Sequence, residues 1–206
     1  MKLLHIDTSI QTTGSISREM SRAAVERLKR EIPDLDVRYK DFAEEPLAHL
    51  SAPVFAAHVQ NADVSDFDQA AVDDVVESRE ALEEFLAADI LVLGVPLYNY
   101  SVPSSLKAWI DRIVVAGKTF TYGGPNGPIG LAAGKRVIVL LARGGIFSEG
   151  SPTAHNEHAQ TYLRSVFGLI GIDNVEFVIA EGLAIDANHR DAALRDALAA
   201  IDKLAA

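Results

Sequence analysis

Residues 89–96 read DILVLGVP, and the run from Ile90 to Val95 carries no polar side chain. A strand that is apolar along its whole length is buried on both faces, which is typical of a parallel sheet covered by helices on both sides. Strand patterns also occur in KLLHID at 2–7, DVRYKDF at 36–42, KRVIVLLA at 135–142 and VEFVIAEG at 175–182.

Helical spacing, or helix start and stop signals, marks the segments between these strands and after the last one. The predicted helices cover residues 15–30, 68–87, 102–117, 153–169 and 186–204. This alternation predicts an α/β fold with five parallel strands and right-handed crossovers that place helices on both faces of the sheet.

Two segments do not fit the alternation. Residues 43–66 contain two prolines and scattered apolar residues, and we expect a long excursion with one short helix. The segment TFTYGGPNGPIGL at 119–131 is so rich in glycine and proline that it predicts no regular element.

Composition limits the classes of protein to consider. The chain has 206 residues, 49% of them hydrophobic, and this predicts one globular domain spanning residues 1–206. A net charge of −10 argues against nucleic acid or an anionic membrane as a partner, because both bind clustered lysine and arginine. There is no cysteine, which excludes thiol catalysis and cysteine-ligated metal. Without a recognisable signal peptide or a long apolar run, we expect a cytoplasmic protein with no membrane span.

The loop after the first strand is unusually rich in hydroxyl groups. Residues 8–17, here called the first loop, read TSIQTTGSIS and lead directly into a helix. They contain neither GxGxxG nor GxxxxGK[ST], so the standard dinucleotide and nucleoside triphosphate fingerprints are absent. Hydroxyls at a helix N-terminus suit a phosphate monoester held by hydrogen bonds alone. The alternative is that Ser15 or Ser17 only caps the helix.

Two more loops follow strands at the same edge of the predicted sheet, where ligands bind in open α/β folds. The loop PLYNYSVPSS at 96–105 offers Tyr98 and Tyr100 as walls for a planar ring, although both side chains would serve equally well to cover the edge of the core. The loop ARGG at 142–145 offers glycines for close backbone approach or positive φ, with a tight turn as the alternative and Arg143 in a surface ion pair. If the three loops converge, they describe an FMN site better than a nucleophile or a metal site.

The histidines favour structural or solvent-exposed roles. His5 lies within the first strand and is expected in the core or at the sheet edge. His155 and His158 have the i, i+3 spacing of a metal pair, but no third ligand is evident, so we expect them to be exposed and predict no metal. Contact of His155 with a bound flavin stays open at this point.

Several motifs occur together in a fixed order. They are GSISR at 14–18, PLYNYSVPSSLKAWID at 96–111, GKTFTY at 117–122, ARGG at 142–145, GLIGI at 168–172 and FVIAEG at 177–182. In this order and spacing the chain resembles, nearly from end to end, the FMN-dependent NADH:quinone oxidoreductases of the bacterial azoreductase type. The resemblance implies a flavodoxin-like three-layer sandwich with strand order 2-1-3-4-5, and a homodimer that binds one FMN per subunit.

The resemblance also implies roles for individual residues. For the FMN phosphate it implies Ser9, Ser15, Ile16 and Ser17, and for the ring and ribityl chain it implies Pro96, Leu97, Tyr98, Asn99 and Tyr100. For the pyrimidine end of the ring it implies Ala142, Arg143, Gly144 and Gly145, and for a substrate pocket over the flavin, often completed by the other subunit, Phe120 and Tyr122. The segments 43–66 and 118–131 would then be dimer and pocket elements, with surface decoration as the alternative reading.

The implied activity is the two-electron reduction of quinones and the reductive cleavage of azo compounds. In a ping-pong cycle NADH or NADPH passes a hydride to flavin N5 and leaves, and the acceptor then enters the same pocket. No catalytic side chain is required, although backbone N–H groups near Gly144 and Gly145 would stabilise negative charge on the ring. Two alternatives stay open, a flavodoxin-type electron carrier and a flavin-free phospho-signalling domain, for which only Asp7 is well placed.

Overall fold

The computed structural model describes residues 1–60, 62–125 and 127–205. The strands are β1 Lys2–Asp7, β2 Asp36–Asp41, β3 Ile90–Pro96, β4 Phe120–Gly124, β5 Gly127–Gly130, β6 Arg136–Ala142 and β7 Val175–Ala180. All but β4 and β5 form the main sheet, which is parallel and has the order β2-β1-β3-β6-β7. This is the predicted order 2-1-3-4-5 when only the strands of the main sheet are counted. The helices are α1 Ile16–Glu31, α2 Ala52–Val59, α3 Gln69–Ala87, α4 Ser104–Ile113, α5 Ala159–Leu169 and α6 Ala187–Ile201. The flavodoxin-like three-layer fold is confirmed.

The central strand β3 is buried throughout, as its apolar sequence predicts. One face of the sheet is covered by α3, α4 and α5, which bring Phe85, Trp109 and Phe167 into the core. The other face is covered by α1 and α6, whose apolar stripes include Met20 and Ile201. The two cores hold the sheet rigidly between helices, so the strand ends form a fixed platform.

Strand register aligns the carboxyl ends of the central strands. Asp7 of β1 lies opposite Gly94 of β3, and Pro96 of β3 lies opposite Ala142 of β6. Gly94 is required at its position, because a Cβ there would lie 2.2 Å from the Asp7 Oδ1 atom. The three loops singled out in the sequence therefore emerge side by side.

The segment 119–131 corrects the sequence prediction. It forms an antiparallel hairpin of β4 Phe120–Gly124 and β5 Gly127–Gly130, where no regular element was expected. Glycine here permits close packing and not only turns, since a Cβ on Gly130 would lie 2.1 Å from the amide nitrogen of Gly171.

In two other segments the structure agrees better with the sequence prediction than it does in the hairpin. Residues 43–66 contain α2 and a 3-10 turn at Val64–Asp66, which confirms an excursion with one short helix. Arg112, fully buried on α4, holds the start of this excursion by donating to the carbonyl of Ala48 at 3.0 Å and to Asp74 at 2.6 Å. The helix predicted at 153–169 is divided, with a 3-10 turn at Ala154–Asn156 before α5 begins.

Candidate functional site

The three loops do converge, and together they line one open cleft at the carboxyl edge of the sheet. Of the residues predicted to bind cofactor, this cleft is lined by Ser9, Ser15, Ile16, Ser17, Pro96, Leu97, Tyr98, Ala142 and Gly144. Five residues without a predicted role complete the lining, namely Gln11, Gly14, Leu183, Ala184 and Arg190. The chain thus brings a hydroxyl-rich helix start opposite an apolar and aromatic wall.

Ser15 and Ser17 form a buried pair at the start of α1. Ser15 occupies the N-cap position, yet its side chain makes no capping hydrogen bond. Its Oγ lies instead 3.2 Å from the Oγ of Ser17, and the two residues are only 8% and 1% exposed. Because the first amides of a helix have no acceptor within the helix, this corner presents hydroxyl and N–H donors together.

Tyr98 connects two of the loops. Its hydroxyl lies 3.3 Å from the Ser9 Oγ and accepts a hydrogen bond from the amide of Ile10 at 3.3 Å. The neighbouring hydroxyl, on Thr8, is used structurally and donates to the carbonyl of Gly94 at 2.8 Å. The Tyr98 ring is therefore held as a wall of the cleft, and its hydroxyl is not simply solvated.

The backbone beyond Tyr98 is in an unusual conformation. Asn99 and Tyr100 have φ values of 48° and 70°, and Tyr98 and Ser101 exchange two backbone hydrogen bonds of 3.0 Å. This is the geometry of a type I′ turn, in which a tyrosine carries backbone strain that ordinary loops avoid. The turn directs Tyr100 away from the cleft, where its ring packs edge-on against Phe147 at 5.9 Å.

A second cavity adjoins the cleft at Tyr98. It has a volume of about 520 Å³ and lies between the turn and α4 and α5, with Asn99, Lys107 and Tyr162 among its lining residues. Burial raises the pKa of the Tyr162 phenol to about 12, so this hydroxyl stays protonated near neutral pH. Among the residues predicted to bind cofactor, Asn99 thus lines this cavity and not the cleft.

Arg143 forms a buried ion pair, so the alternative that it forms a surface ion pair is wrong. Its side chain is 1% exposed and turns away from the cleft toward Glu157 at 3.1 Å and Glu181 at 3.5 Å, with a hydrogen bond to Gln160. Burial opposes ionisation of Glu181, but hydrogen bonds from Ser148 and the Phe147 amide, with the Arg143 charge, hold its pKa below its usual value. Only the backbone of Arg143 belongs to the loop at the cleft.

The glycines of this loop are not needed for positive φ. Neither Gly144 nor Gly145 has a positive φ, and a Cβ on Gly144 would meet only the Cβ of Ala184, at 3.4 Å. At Gly145 the close approach is by the Phe147 ring, 3.1 Å from such a Cβ. The carbonyl oxygens of residues 143–145 accept hydrogen bonds from the amides of residues 182–184, which fixes the loop against the segment after β7.

The chain is similar to known proteins along nearly its whole length. A model of the flavodoxin-like fold family matches residues 1–205. The FMN-dependent NADH:quinone oxidoreductase of Methylorubrum populi is 52% identical, and oxidoreductase 2 of Bradyrhizobium diazoefficiens is 50% identical, each over 206 residues and 100% of both chains. The chain belongs to the flavodoxin-like FMN-dependent NADH:quinone oxidoreductase family. The resemblance drawn from the sequence motifs is confirmed.

A solved structure agrees with this membership. An FMN-dependent NADH-azoreductase from Bacillus anthracis str. Ames Ancestor, in complex with FMN, is 25% identical and has a TM-score of 0.86 over 100% of both chains. The chain therefore keeps the backbone of a flavin-bound relative although three quarters of the aligned residues differ.

The sequence pattern does not reveal a buried ionic network that lies beneath the first loop. Arg18 is 7% exposed and donates to both carboxylate oxygens of Asp41 and, at 2.7 Å, to the carbonyl of Ser9. Tyr39 adds a hydrogen bond to Asp7 at 3.1 Å, and burial raises the pKa of the Tyr39 phenol. The motif GSISR contained Arg18, but nothing in its local pattern identified partners 9 and 23 positions away.

No histidine of the described residues lines the cleft. His5 is buried beside Tyr39, with ring centroids 4.8 Å apart, as its strand position predicts. His155 and His158 are exposed as expected, but they do not share a helix, because His155 lies in the 3-10 turn and His158 is the N-cap of α5. In residues 1–60, 62–125 and 127–205, no three His, Asp or Glu side chains are grouped so as to hold a metal ion.

Phe120 and Tyr122 lie in the hairpin and not in the cleft. Phe120 is buried, Tyr122 is 73% exposed, and their rings pack edge-on at 5.2 Å.

No helix in the described part of the chain is long and apolar enough to cross a membrane.

Proposed function

We propose that this chain is an FMN-dependent NAD(P)H oxidoreductase that reduces quinones by two electrons and cleaves aromatic azo compounds reductively. The observation that carries the proposal is the buried Ser15–Ser17 pair, which stands at a helix start without capping it. Because the Ser15 hydroxyl does not cap the helix, ligand binding explains this pair of hydroxyls better than helix capping does. The two relatives that are 50% and 52% identical over the full length are named FMN-dependent NADH:quinone oxidoreductases, and the Bacillus anthracis structure is named an FMN-dependent NADH-azoreductase.

The residues of the cleft fit FMN. The hydroxyls of Ser9, Ser15 and Ser17 and the amides at the start of α1 supply the donors that a phosphate monoester needs. Pro96, Leu97 and Tyr98 give the flat apolar wall that an isoalloxazine ring needs. When bound, FMN supplies a ring that accepts a hydride from NADH or NADPH and passes two electrons to an acceptor.

The protein's own contribution is placement and electrostatics. Backbone amides of Gly144 and Gly145, whose carbonyls are already engaged with residues 182–184, are available as donors to the pyrimidine end of a ring. Ala142 and the backbone of Arg143 complete that side. Asn99, which lines the adjoining cavity, and Tyr100, which packs against Phe147, form the turn that positions Tyr98. No side chain is assigned a catalytic role, and no metal is required.

We propose further that donor and acceptor use the same cleft in turn, in a ping-pong order. The cleft and the adjoining cavity share Tyr98 and are open to solvent, which suits flat aromatic acceptors. Partners would then be small molecules and not nucleic acid or membrane, and the proposed location is the cytoplasm. The whole chain would act as one FMN-binding domain.

A homodimer with one FMN per subunit belongs to the same proposal. Phe55 and Val59 on α2, and Tyr122 and Ile129 on the hairpin, are apolar side chains exposed to solvent in the isolated chain. We propose that a second copy covers these surfaces and that Phe120 and Tyr122 reach a substrate over the partner's flavin. Light scattering after size exclusion should give twice the chain mass, and replacing Phe55 by Asp should shift it toward the monomer.

The test is steady-state oxidation of NADH by the purified, FMN-loaded protein with and without benzoquinone. Acceptor-dependent loss of NADH, with parallel double-reciprocal lines as the quinone is varied, is expected for the ping-pong order. A protein that is yellow with FMN but oxidises no NADH with a quinone or an azo dye would favour an electron carrier. A colourless protein that binds no added FMN would contradict the proposal altogether.

A further inference from the structure

Arg190 differs from every other described residue that lines the cleft, because it alone carries a charged side chain. The chain as a whole has a net charge of −10, so a lone cation at the cleft is not a consequence of its composition. The residue lies in the first turn of α6, far in sequence from the loops that the motifs identified.

The guanidinium of Arg190 lies next to the hydroxyl pair. Its Nη2 donates to the carbonyl of Gly14 at 3.0 Å, and Gly14 directly precedes Ser15. Gly14 has a φ of 70°, a conformation that turns the chain sharply before α1 begins. A guanidinium has five N–H donors, so one bond to a carbonyl leaves others for an anion held at the start of α1.

The other cations near the loops are already paired. Arg18 is paired with Asp41, and Arg143 with Glu157 and Glu181. Among the described residues, Arg190 takes part in no ion pair with a carboxylate within 4.0 Å. It is therefore the cation at this edge whose charge remains available to a ligand.

We propose that Arg190 is the counter-charge of the FMN phosphate and determines the preference for FMN over riboflavin. The inference rests on the proposed FMN site and corrects the expectation that hydrogen bonds alone hold the phosphate. The guanidinium ties α6 to the first loop through Gly14 and faces the phosphate with its remaining donors. Arginine suits this role because its planar fork binds a carbonyl and a phosphate oxygen at the same time.

The experiment compares Arg190→Gln with Arg195→Gln, which removes the same charge from an exposed position of α6 outside the cleft lining. Dissociation constants for FMN and riboflavin are measured by flavin fluorescence on the apoprotein. Arg190→Gln should weaken FMN binding roughly tenfold to hundredfold, as loss of a charge-assisted hydrogen bond does, and riboflavin binding less than about threefold. Arg190→Lys keeps the charge but not the planar fork, so it should keep part of the preference, and Arg195→Gln should change neither constant.

The dependence of FMN affinity on ionic strength is a second measurement, and a purely structural role of Arg190 would not affect it. Wild-type affinity for FMN should fall between low and high ionic strength, and the dependence should be shallower in Arg190→Gln. Equal losses for FMN and riboflavin, or an unchanged FMN constant, would overturn the inference. If the wild type itself binds no FMN, the proposed function fails instead, so the two failures are distinguishable.

Discussion

The Arg18 guanidinium holds Asp41 by its two carboxylate oxygens and donates to the Ser9 carbonyl at 2.7 Å. One side chain of α1 thus joins the end of β2 to the loop that follows β1. The hydrogen bond from Arg18 is the main reason that the pKa of Asp41 lies below its usual value. The shape of the first loop therefore depends on an ion pair that lies outside the lining of the cleft.

We expect Asp41→Asn to be destabilised by roughly 3 kcal/mol near neutral pH, because Arg18 would lose its buried partner. Since the folded-state pKa of Asp41 is depressed, the ion pair stabilises the fold above the unfolded pKa of about 4, and this contribution is lost as pH falls through the folded pKa. The difference between wild type and variant should therefore shrink below about pH 4. Urea unfolding from pH 3 to 7 measures it.

The matched control is Asp36→Asn, at an exposed position of the same strand β2. It should unfold like the wild type at every pH. A constant difference between Asp41→Asn and wild type across the whole range would show that the carboxylate charge does not contribute.

The strands and most helices follow from local pattern, whereas the hairpin at 119–131 does not. Apolar runs such as Ile90–Val95 have no other place than a doubly covered sheet, so their position is predictable. The pairing of Phe120 with Gly130 depends on the contact between Gly130 and Gly171, which is not encoded in the segment itself. The glycine-rich sequence of 119–131 therefore predicts an irregular segment, although the segment forms two strands.

The candidate site also has some features that local sequence predicts and others that it does not. Hydroxyls and aromatics that follow a strand were predictable, because the ends of parallel strands meet at one edge. The directions of long side chains were not, since Arg143 turns away from the cleft and Arg190 reaches Gly14 across 176 positions. The order of the motifs identifies the loops, but only the folded chain shows which charged side chains lie beside the cleft.

Gly94→Ala tests the close approach at the centre of the sheet. The added Cβ would lie 2.2 Å from the Asp7 Oδ1 atom and 3.1 Å from the Ser17 carbonyl, both fixed by packing. We expect a loss of about 3 kcal/mol in the free energy of unfolding, measured with urea. Gly168→Ala is the control, because nothing lies within 4 Å of its added Cβ in α5, and it should stabilise by about 0.5 kcal/mol. Equal stability of the two variants would contradict the assigned packing.

The double variant Ser15→Ala/Ser17→Ala tests the phosphate site. It should weaken FMN far more than riboflavin, which lacks the phosphate, by at least about tenfold. Because the Ser15 side chain does not cap α1, the free energy of unfolding of the apoprotein should change by less than the roughly 1 kcal/mol that a lost cap costs. Thr12→Ala/Thr13→Ala, at exposed positions of the same loop, should change neither property. Equal weakening of both flavins would leave the serines without a role in phosphate binding.

His58 on α2 gives a prediction for mildly acidic pH. Burial, and then the charges of Arg79 and Arg112, lower its pKa in the folded chain. The unfolded chain takes up the proton near pH 6.5, before the folded chain does, so stability should fall as pH drops below that value. Unfolding midpoints between pH 7.5 and 5 should decline in the wild type and decline less in His58→Gln.

His155→Gln is the control for that measurement, since His155 is exposed and lies in the 3-10 turn before α5. It should keep the wild-type decline with pH. If His58→Gln declines as steeply as wild type, the proton is taken up elsewhere, and the burial of His58 does not limit stability in this range. A flat wild-type profile would contradict the prediction directly.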